Sequence, residues 1–266
     1  MGTNVKALRN RIKSVTSTLH LTRAMGLVAS SKIRKATQRM LTGRDYDAAL
    51  GQLLDLLTAD PACARTPFMQ VREGATRLIV IAGDRGLAGG YNANIFRTTK
   101  GYLDAEIIPV GKRACDRFGG ELHNCEKFDT AAAYAMATAL CDDFAAGKFA
   151  RLGILYTRYE SMMKQEPTLR WVLPLTRPAN AAPAAVLFEP DEQTILNTAV
   201  PEYVTGAIMA AVRESFACEV VARRMAMDSA GKNATEMIEN LQLEYNRARQ
   251  GSITQEITEI VAGANA

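Results

Sequence analysis

The first 60 residues and the last 65 contain no proline; all nine prolines fall between Pro61 and Pro201. Proline removes a backbone donor and clashes with the preceding helical turn. Both ends are therefore free to form very long helices, and the middle is not. Aromatic residues are scarce at 6%, with one Trp, and none precedes Tyr46. A leading segment without rings has no platform on which single-stranded bases could stack. Acidic residues are missing from the same stretch, because residues 1–44 carry ten Lys or Arg and no Asp or Glu. No run approaches 18 consecutive apolar residues, so no membrane-spanning helix is expected. The N-terminal MGTNVKALRNRIKS has no apolar core of the kind a secretory signal needs. The five cysteines (Cys63, Cys115, Cys125, Cys141, Cys218) are odd in number and not closely paired. They read as reduced thiols of a cytosolic protein. His20 and His123 lie far apart, which argues against a Cys/His metal centre. What remains, 48% hydrophobic and 23% charged over 266 residues, is the composition of a folded globular chain.

The proline-free first segment carries a heptad seam. Val5, Leu8, Ile12, Val15, Leu19, Thr22, Gly26, Ala29, Ile33, Ala36 and Met40 follow a 3–4 spacing, long enough to argue a coiled coil over an ordinary surface helix. Its middle is small (Thr22, Gly26, Ala29), which lets a partner helix approach closely. The last segment has a looser seam of Val204, Ile208, Ala211, Ser215, Cys218, Ala222, Met225 and Ser229. The phase slips near Gly231 and resumes as Ala234, Ile238, Leu241, Tyr245, Ala248 and Ser252. Such a slip changes local supercoiling without ending the helix. Pro201 suits the first turn of this helix, with Glu202 favourable beside it. Arms of about 55–60 residues would be roughly 80–90 Å long, against a diameter of about 50 Å for a compact sphere of this chain length. The expected shape is an antiparallel two-helix rod bearing a globular head, with domains at 1–60, 61–200 and 201–266.

Charge follows the same division: +7 over residues 1–58, zero over 59–200 and −3 over 201–266. Arms of opposite sign attract each other. The surplus on the first arm, densest at Lys32, Arg34, Lys35 and Arg39, still needs an acidic neighbour. That neighbour is either an acidic protein surface or, as the alternative reading, an RNA backbone.

The middle reads as an α/β layer with a mostly parallel sheet. Strands are expected at 77–82, 107–110 and 151–159, with a fourth, antiparallel one at 169–173. Helices are expected at 92–100, 112–118 and 130–144, and a loop at 176–190. A glycine-rich turn, GDRGLAGGYN, comes directly after the first strand. Its spacing (Gly83, Gly86, Gly89, Gly90) fits neither dinucleotide nor P-loop fingerprints. A tight packing turn, with Asp84 or Asn92 capping the next turn of the chain, is the plainer reading.

Three stretches together resemble one family. IKSVTSTLHLTRAMGLVASSKIRKA at residues 12–36, AGDRGLAGGYN at 82–92 and ATEMIENLQLEYNRARQGSITQEITEIVAGA at 234–264 are similar to the N-terminal, central and C-terminal signatures of the gamma subunit of F-type ATP synthases. The resemblance implies an antiparallel coiled coil with a Rossmann-like α/β head, acting as a rotor shaft. The rod would sit in a hexamer of alternating alpha and beta subunits, and the head, with the epsilon subunit, on the ring of c subunits. It implies mechanical coupling of ion flow to the beta sites, with no catalytic site, nucleotide or other cofactor in the chain itself. It places Met25 near acidic lever loops of beta, with Lys32, Arg34 and Lys35 as the basic face beside them. Arg249, Gln250 and Thr254 would meet a beta catch loop, and residues 257–262, beginning with Ile257, an apolar bearing. The shortened head leaves the epsilon contacts open, and Gly26 stands where relatives often carry a longer residue. The paired-cysteine insertion of the chloroplast branch is absent, which points to a bacterial protein at the cytoplasmic face of the plasma membrane with no thiol switch.

Overall fold

The computed structural model describes residues 2–178 and 188–264. The proline-free first segment is one helix, α1 (Gly2–Ala59). It stops at Asp60, whose carboxylate caps a 3-10 turn at Pro61–Arg65 by accepting from the Ala62 N–H at 2.7 Å. The body then runs β1 (Thr76–Ile81), α2 (Tyr91–Thr99), β2 (Glu106–Val110), α3 (Lys112–Phe118), α4 (Thr130–Ala145), β3 (Arg151–Tyr159) and β4 (Gln165–Leu173). The chain ends in α5 (Glu192–Ala264). The expected loop at 176–190 is non-helical at its two ends, and its positions 179–187 lie outside the described residues.

The last helix starts earlier than its sequence suggests. Pro201 is inside α5, not at its start. The start is set by Asp191, whose Oδ1 accepts from the Thr194 N–H at 2.9 Å and whose Oδ2 accepts from the Thr194 hydroxyl at 2.7 Å. An internal proline costs a helix about 3 kcal/mol. Here Leu196, Val200 and Val204, on both sides of it, are fully buried in the core, so tertiary packing holds the helix through it. One window of α5 is long and apolar enough to cross a membrane by composition, with mean hydropathy 1.3, although no unbroken apolar run signals it; 67% of that window is buried within the protein.

The chain divides into two compact units: Met1–Ser30 with Arg223–Ala266, and Ser31–Ala222. In the first unit the outer parts of α1 and α5 pair antiparallel. A Cβ on Gly26 would lie 3.6 Å from Met227 Cβ, while one on Gly231 would meet Leu19 and Thr22 at 3.9 Å. The seam faces inward as its spacing requires: Leu19, Thr22, Gly26 and Ala29 are buried, and Val5, Leu8, Ile12 and Val15 half-buried. On α5, Met227, Ala234 and Leu241 are buried. The slip comes earlier in α5 than the sequence indicates, between Cys218 and Met227; Ser229, expected on the seam, is exposed. Met227 fills the seam better than Ser229, and a bulky apolar side chain decides the phase.

In the second unit the sheet order is β2-β1-β3-β4, with β1 parallel to β2 and to β3, and β4 antiparallel to β3. The fourth strand is longer than its apolar stretch, because its first half pairs across the hairpin from Tyr159↔Gln165 onward. Both faces of β1 are covered, so it reads as a continuous apolar run. Ile79 and Ile81 join Phe144, Leu152, Ile154, Leu57 and Val204 on one side. Leu78 and Val80 pack with Ile95, Ala114 and Leu155 on the other. At β3, Gly153 is required by a close approach: a Cβ there would come within 2.8 Å of Leu78 Cδ2 and 2.9 Å of Leu169 Cδ1.

Candidate functional site

The glycine-rich turn after β1 is held by its own chain. Asn92 Oδ1 accepts from the Gly83 N–H at 2.8 Å, and the Asn92 amide donates to the Arg85 carbonyl at 3.3 Å. The N–H groups of Asp84 and Arg85 donate to the two oxygens of Glu219, at 3.2 Å each. Asp84 does not cap α2. Its carboxylate accepts from the N–H groups of Lys112, Cys125 and Glu126 at 3.2, 3.0 and 3.0 Å, tying together the start of α3 and the turn before α4. The turn's leading amides, those that could receive a phosphate, thus point at carboxylate or amide oxygens, and a buried Glu219 occupies the anion position. Leu87 has φ 59° and is 63% exposed.

Sequence expectation grouped Lys32, Arg34 and Lys35 as one basic face. Arg34 and Lys35 are exposed. Lys32 is not free, since its ammonium pairs with Glu126 of the body. The hydrogen bond from Lys32 lowers the Glu126 pKa below the ordinary carboxylate value, with Arg85 and Lys127 adding to it. A depressed carboxylate contributes stability above its unfolded pKa and loses it as pH falls through the folded value. Both partners are over a third exposed, so the contribution is under about 1 kcal/mol. Lys32→Ala is expected to lower stability by that small amount at pH 7, and by nothing in acid where Glu126 is protonated in both states. Urea unfolding at the two pH values checks it; an undiminished loss in acid would show that the lysine acts through packing.

In the first unit, Met25 is half-buried, beside the exposed Leu21 and Val28 on the same helix. An open groove of about 620 Å³ runs between the helices, lined by Thr22, Gly26, Arg224, Met227 and Gly231 among others. Arg249, Gln250 and Thr254 are exposed near the end of α5. The Thr254 hydroxyl donates to the Gln250 carbonyl at 2.9 Å. Ile257, Ile260 and Val261 are 57%, 71% and 54% exposed, an apolar end that nothing in the chain covers among the described residues.

Sequence reasoning placed Ser215 on the inward seam of the last helix but missed the two buried carboxylates beside it. Glu214, Ser215 and Glu219 are 5%, 0% and 1% exposed, and each is hydrogen-bonded to the body or to α1. The available signal was two carboxylates inside the apolar stretch 204–221, where an unpaired charge is too costly to persist.

The thiols divide sharply. Burial raises the pKa of Cys63, Cys125 and Cys218, and pushes Cys141 up to about 12. Cys115 alone is partly exposed. The thiolate is the reactive species, so brief alkylation of the native protein is expected to label Cys115 and leave the other four until unfolding. Peptide mass mapping reads this directly, and early labelling of Cys141 or Cys218 would contradict the packing described.

Two long terminal helices paired antiparallel, with a four-stranded α/β body between them in the chain, define the class of ATP synthase central-stalk folds. A mitochondrial ATP synthase structure from Euglena gracilis contains a chain that aligns with a TM-score of 0.73 at 18% identity, covering 100% of this chain and 95% of that one. One from the central stalk and c-ring of Tetrahymena thermophila ATP synthase aligns at 0.63 and 21% identity, covering 79% and 99%. In sequence, the family described as ATP synthase matches residues 4–266. The ATP synthase gamma chain of Ruminococcus albus is 37% identical over 97% of this chain and 96% of its own. That of Xanthomonas campestris is 36% identical over 98% of both. The chain belongs to the ATP synthase gamma-chain family, and the RNA-binding reading of its basic arm is left without support.

Proposed function

We propose that the chain is the rotor of an ATP synthase central stalk, coupling ion flow through a ring of c subunits to the nucleotide sites of beta subunits. The observation that carries this reading is the antiparallel helix pair with small residues on its seam, in a chain of this family. A slender two-helix shaft fits a narrow sleeve and, being asymmetric, presents a different face to each of three surrounding sites. Each orientation then favours a different conformation at each site, which is coupling by differential contact. In this reading alpha and beta form the sleeve, and Met25, Arg34, Lys35, Arg249, Gln250 and Thr254 face beta loops. Ile257 and its apolar neighbours seat in the bearing. The segments 1–60 and 201–266 serve as shaft and 61–200 as head, with epsilon and the c-ring beneath it. The complex would lie peripherally on the cytoplasmic face of a bacterial membrane.

The same reading assigns no bond chemistry to the chain. Its support is the turn at 83–90, whose leading amides are taken by Asn92 and Glu219. The test is reconstitution with the cognate alpha, beta, epsilon and membrane subunits, with and without this chain. ATP-driven ion uptake that requires the chain is the expected result; coupled uptake without it overturns the reading. Calorimetry of the isolated chain with ATP is expected to show no micromolar binding.

A further inference from the structure

The buried polar residues of α5 sit where the sheet runs out of strands. On the β1 side, β3 is paired only as far as Leu155, whereas on the other side β4 accompanies it to Tyr159. The last residues of β3 therefore present an open backbone edge, buried at Thr157 and half-buried at Tyr159, and buried backbone groups must find partners. Side chains of α5 supply them. The Thr157 N–H donates to Ser215 Oγ at 3.2 Å, and the Cys218 thiol to the Thr157 carbonyl at 3.4 Å. The Tyr159 N–H donates to Glu214 Oε1 at 2.7 Å. Arg44 on α1 closes the arrangement. Its guanidinium donates to both Glu214 oxygens, at 2.6 and 3.3 Å, and to the Tyr159 carbonyl at 2.5 Å. One turn further, Glu219 receives the Asp84 and Arg85 N–H groups, and the Tyr91 hydroxyl donates to the Ser215 carbonyl at 2.9 Å.

Residues 214–219 thus collect, within less than two turns, bonds from the end of β3, the turn after β1, the first residue of α2 and, through Arg44, from α1. The rest of the contact between α5 and the body is largely apolar (Val204, Ala207, Ile208, Val212). Apolar packing is non-directional, so it resists separation more than it resists twisting. Hydrogen bonds to fixed backbone groups lose strength steeply as their angle changes, and charge-assisted ones are the strongest. We infer that the Arg44–Glu214–Tyr159 clamp, with Glu219 beside it, is the torque-bearing lock that fixes the angular setting of the α/β body on the stretches of α1 and α5 that pack against it. Glu214 and Arg44 are positioning residues that act by preventing rotational slip. This inference rests on the rotor reading above.

The test uses the complete membrane complex in inverted vesicles, measuring ATP hydrolysis and ATP-driven ion uptake on the same preparation. Glu214→Ala is expected to leave hydrolysis within about twofold of the unmodified complex and to lower ions moved per ATP at least about fivefold. Glu214→Gln keeps an acceptor for the Tyr159 N–H, and Arg44→Lys keeps the cation; both should recover part of the ratio. Hydrogen exchange should quicken at the Tyr159 amide in Glu214→Ala while the Ile79 amide stays protected. An unchanged ratio in Glu214→Ala overturns the lock. Where that variant fails to assemble, Glu214→Gln decides: an unchanged ratio with faster Tyr159 exchange also overturns it. Vesicles lacking the chain separate the two levels. Uptake that survives the deletion sinks the rotor reading, whereas uptake lost on deletion but unaltered in the Glu214 variants sinks the lock alone.

Discussion

Replacing Gly111 with alanine is expected to lower the stability of the α/β body by about 2–5 kcal/mol, combining overpacking, at about 1–3 kcal/mol, with about 1–2 kcal/mol for a side chain held at a left-handed backbone setting. Gly111 has φ 93°, and an added Cβ would lie 1.9 Å from the Ala82 carbonyl oxygen. It cannot retreat easily. The Gly111 N–H is bonded to the His123 carbonyl at 2.7 Å, and the Ala82 N–H to the Val110 carbonyl at 2.9 Å. The Cys125 thiol holds the Ala82 oxygen from a third side at 3.2 Å. The obstacle is backbone, so no rotamer change relieves it. Trp171 is the only tryptophan and lies on β4 of the same sheet, so its fluorescence during urea unfolding reports this unit. A loss under about 1 kcal/mol would mean that the β1–β2 junction is plastic, and the rigidity argued for it would fail.

Phe144→Ala should cost a comparable amount, about 3–5 kcal/mol, the range for an aromatic ring deleted from a packed core. Phe144 is fully buried. Its ring stacks on Phe68 at 6.2 Å and meets Phe149 edge-on at 5.4 Å. Arg72 stands over its face at 5.7 Å and donates to the Phe144 carbonyl at 3.1 Å. Three segments meet at this ring: the stretch before β1, which supplies Phe68 and Arg72, the end of α4, and Phe149 just ahead of β3. Removing it leaves the neighbours too constrained to collapse into the space. Phe144→Leu should recover more than half the loss. Equal losses for alanine and leucine would place the cost in aromatic geometry instead of volume.

How far the sequence foretold these features depends on how local their causes are. The helix seam was legible because a 3–4 spacing repeats through α1, and every seam position from Val5 to Met40 is at least half-buried. The strands were legible as short apolar runs set among glycines and prolines, although the first half of β4 was not. Pro201 misled because a proline is judged against its own turn, while the helix around it is held by a core gathered from the whole body. Asp84 misled similarly. Its partners lie 28, 41 and 42 positions away, beyond any local rule of capping. The contacts proposed for Arg249, Gln250 and Thr254 rest only on resemblance to a family, since an exposed Arg or Thr carries no physical mark of a partner. Glu214 and Glu219 did carry such a mark, as carboxylates inside an apolar stretch.

The pairing of α1 with α5 also bears on how the chain is made. Gly26 meets a residue about 200 positions further along, Met227. At roughly 5–20 residues per second of translation, the first seam waits about 10–40 s before its partner leaves the ribosome. During that time it is an apolar stripe with nothing to cover it. Its composition suits the delay: at its middle stand Thr22, Gly26 and Ala29, which offer little surface for wrong partners, and the stripe is flanked by ten cations and no anions through Arg44, so nascent copies on neighbouring ribosomes repel one another. The small residues that let α1 and α5 approach closely in the finished protein also leave its unfinished half little apolar surface to stick by.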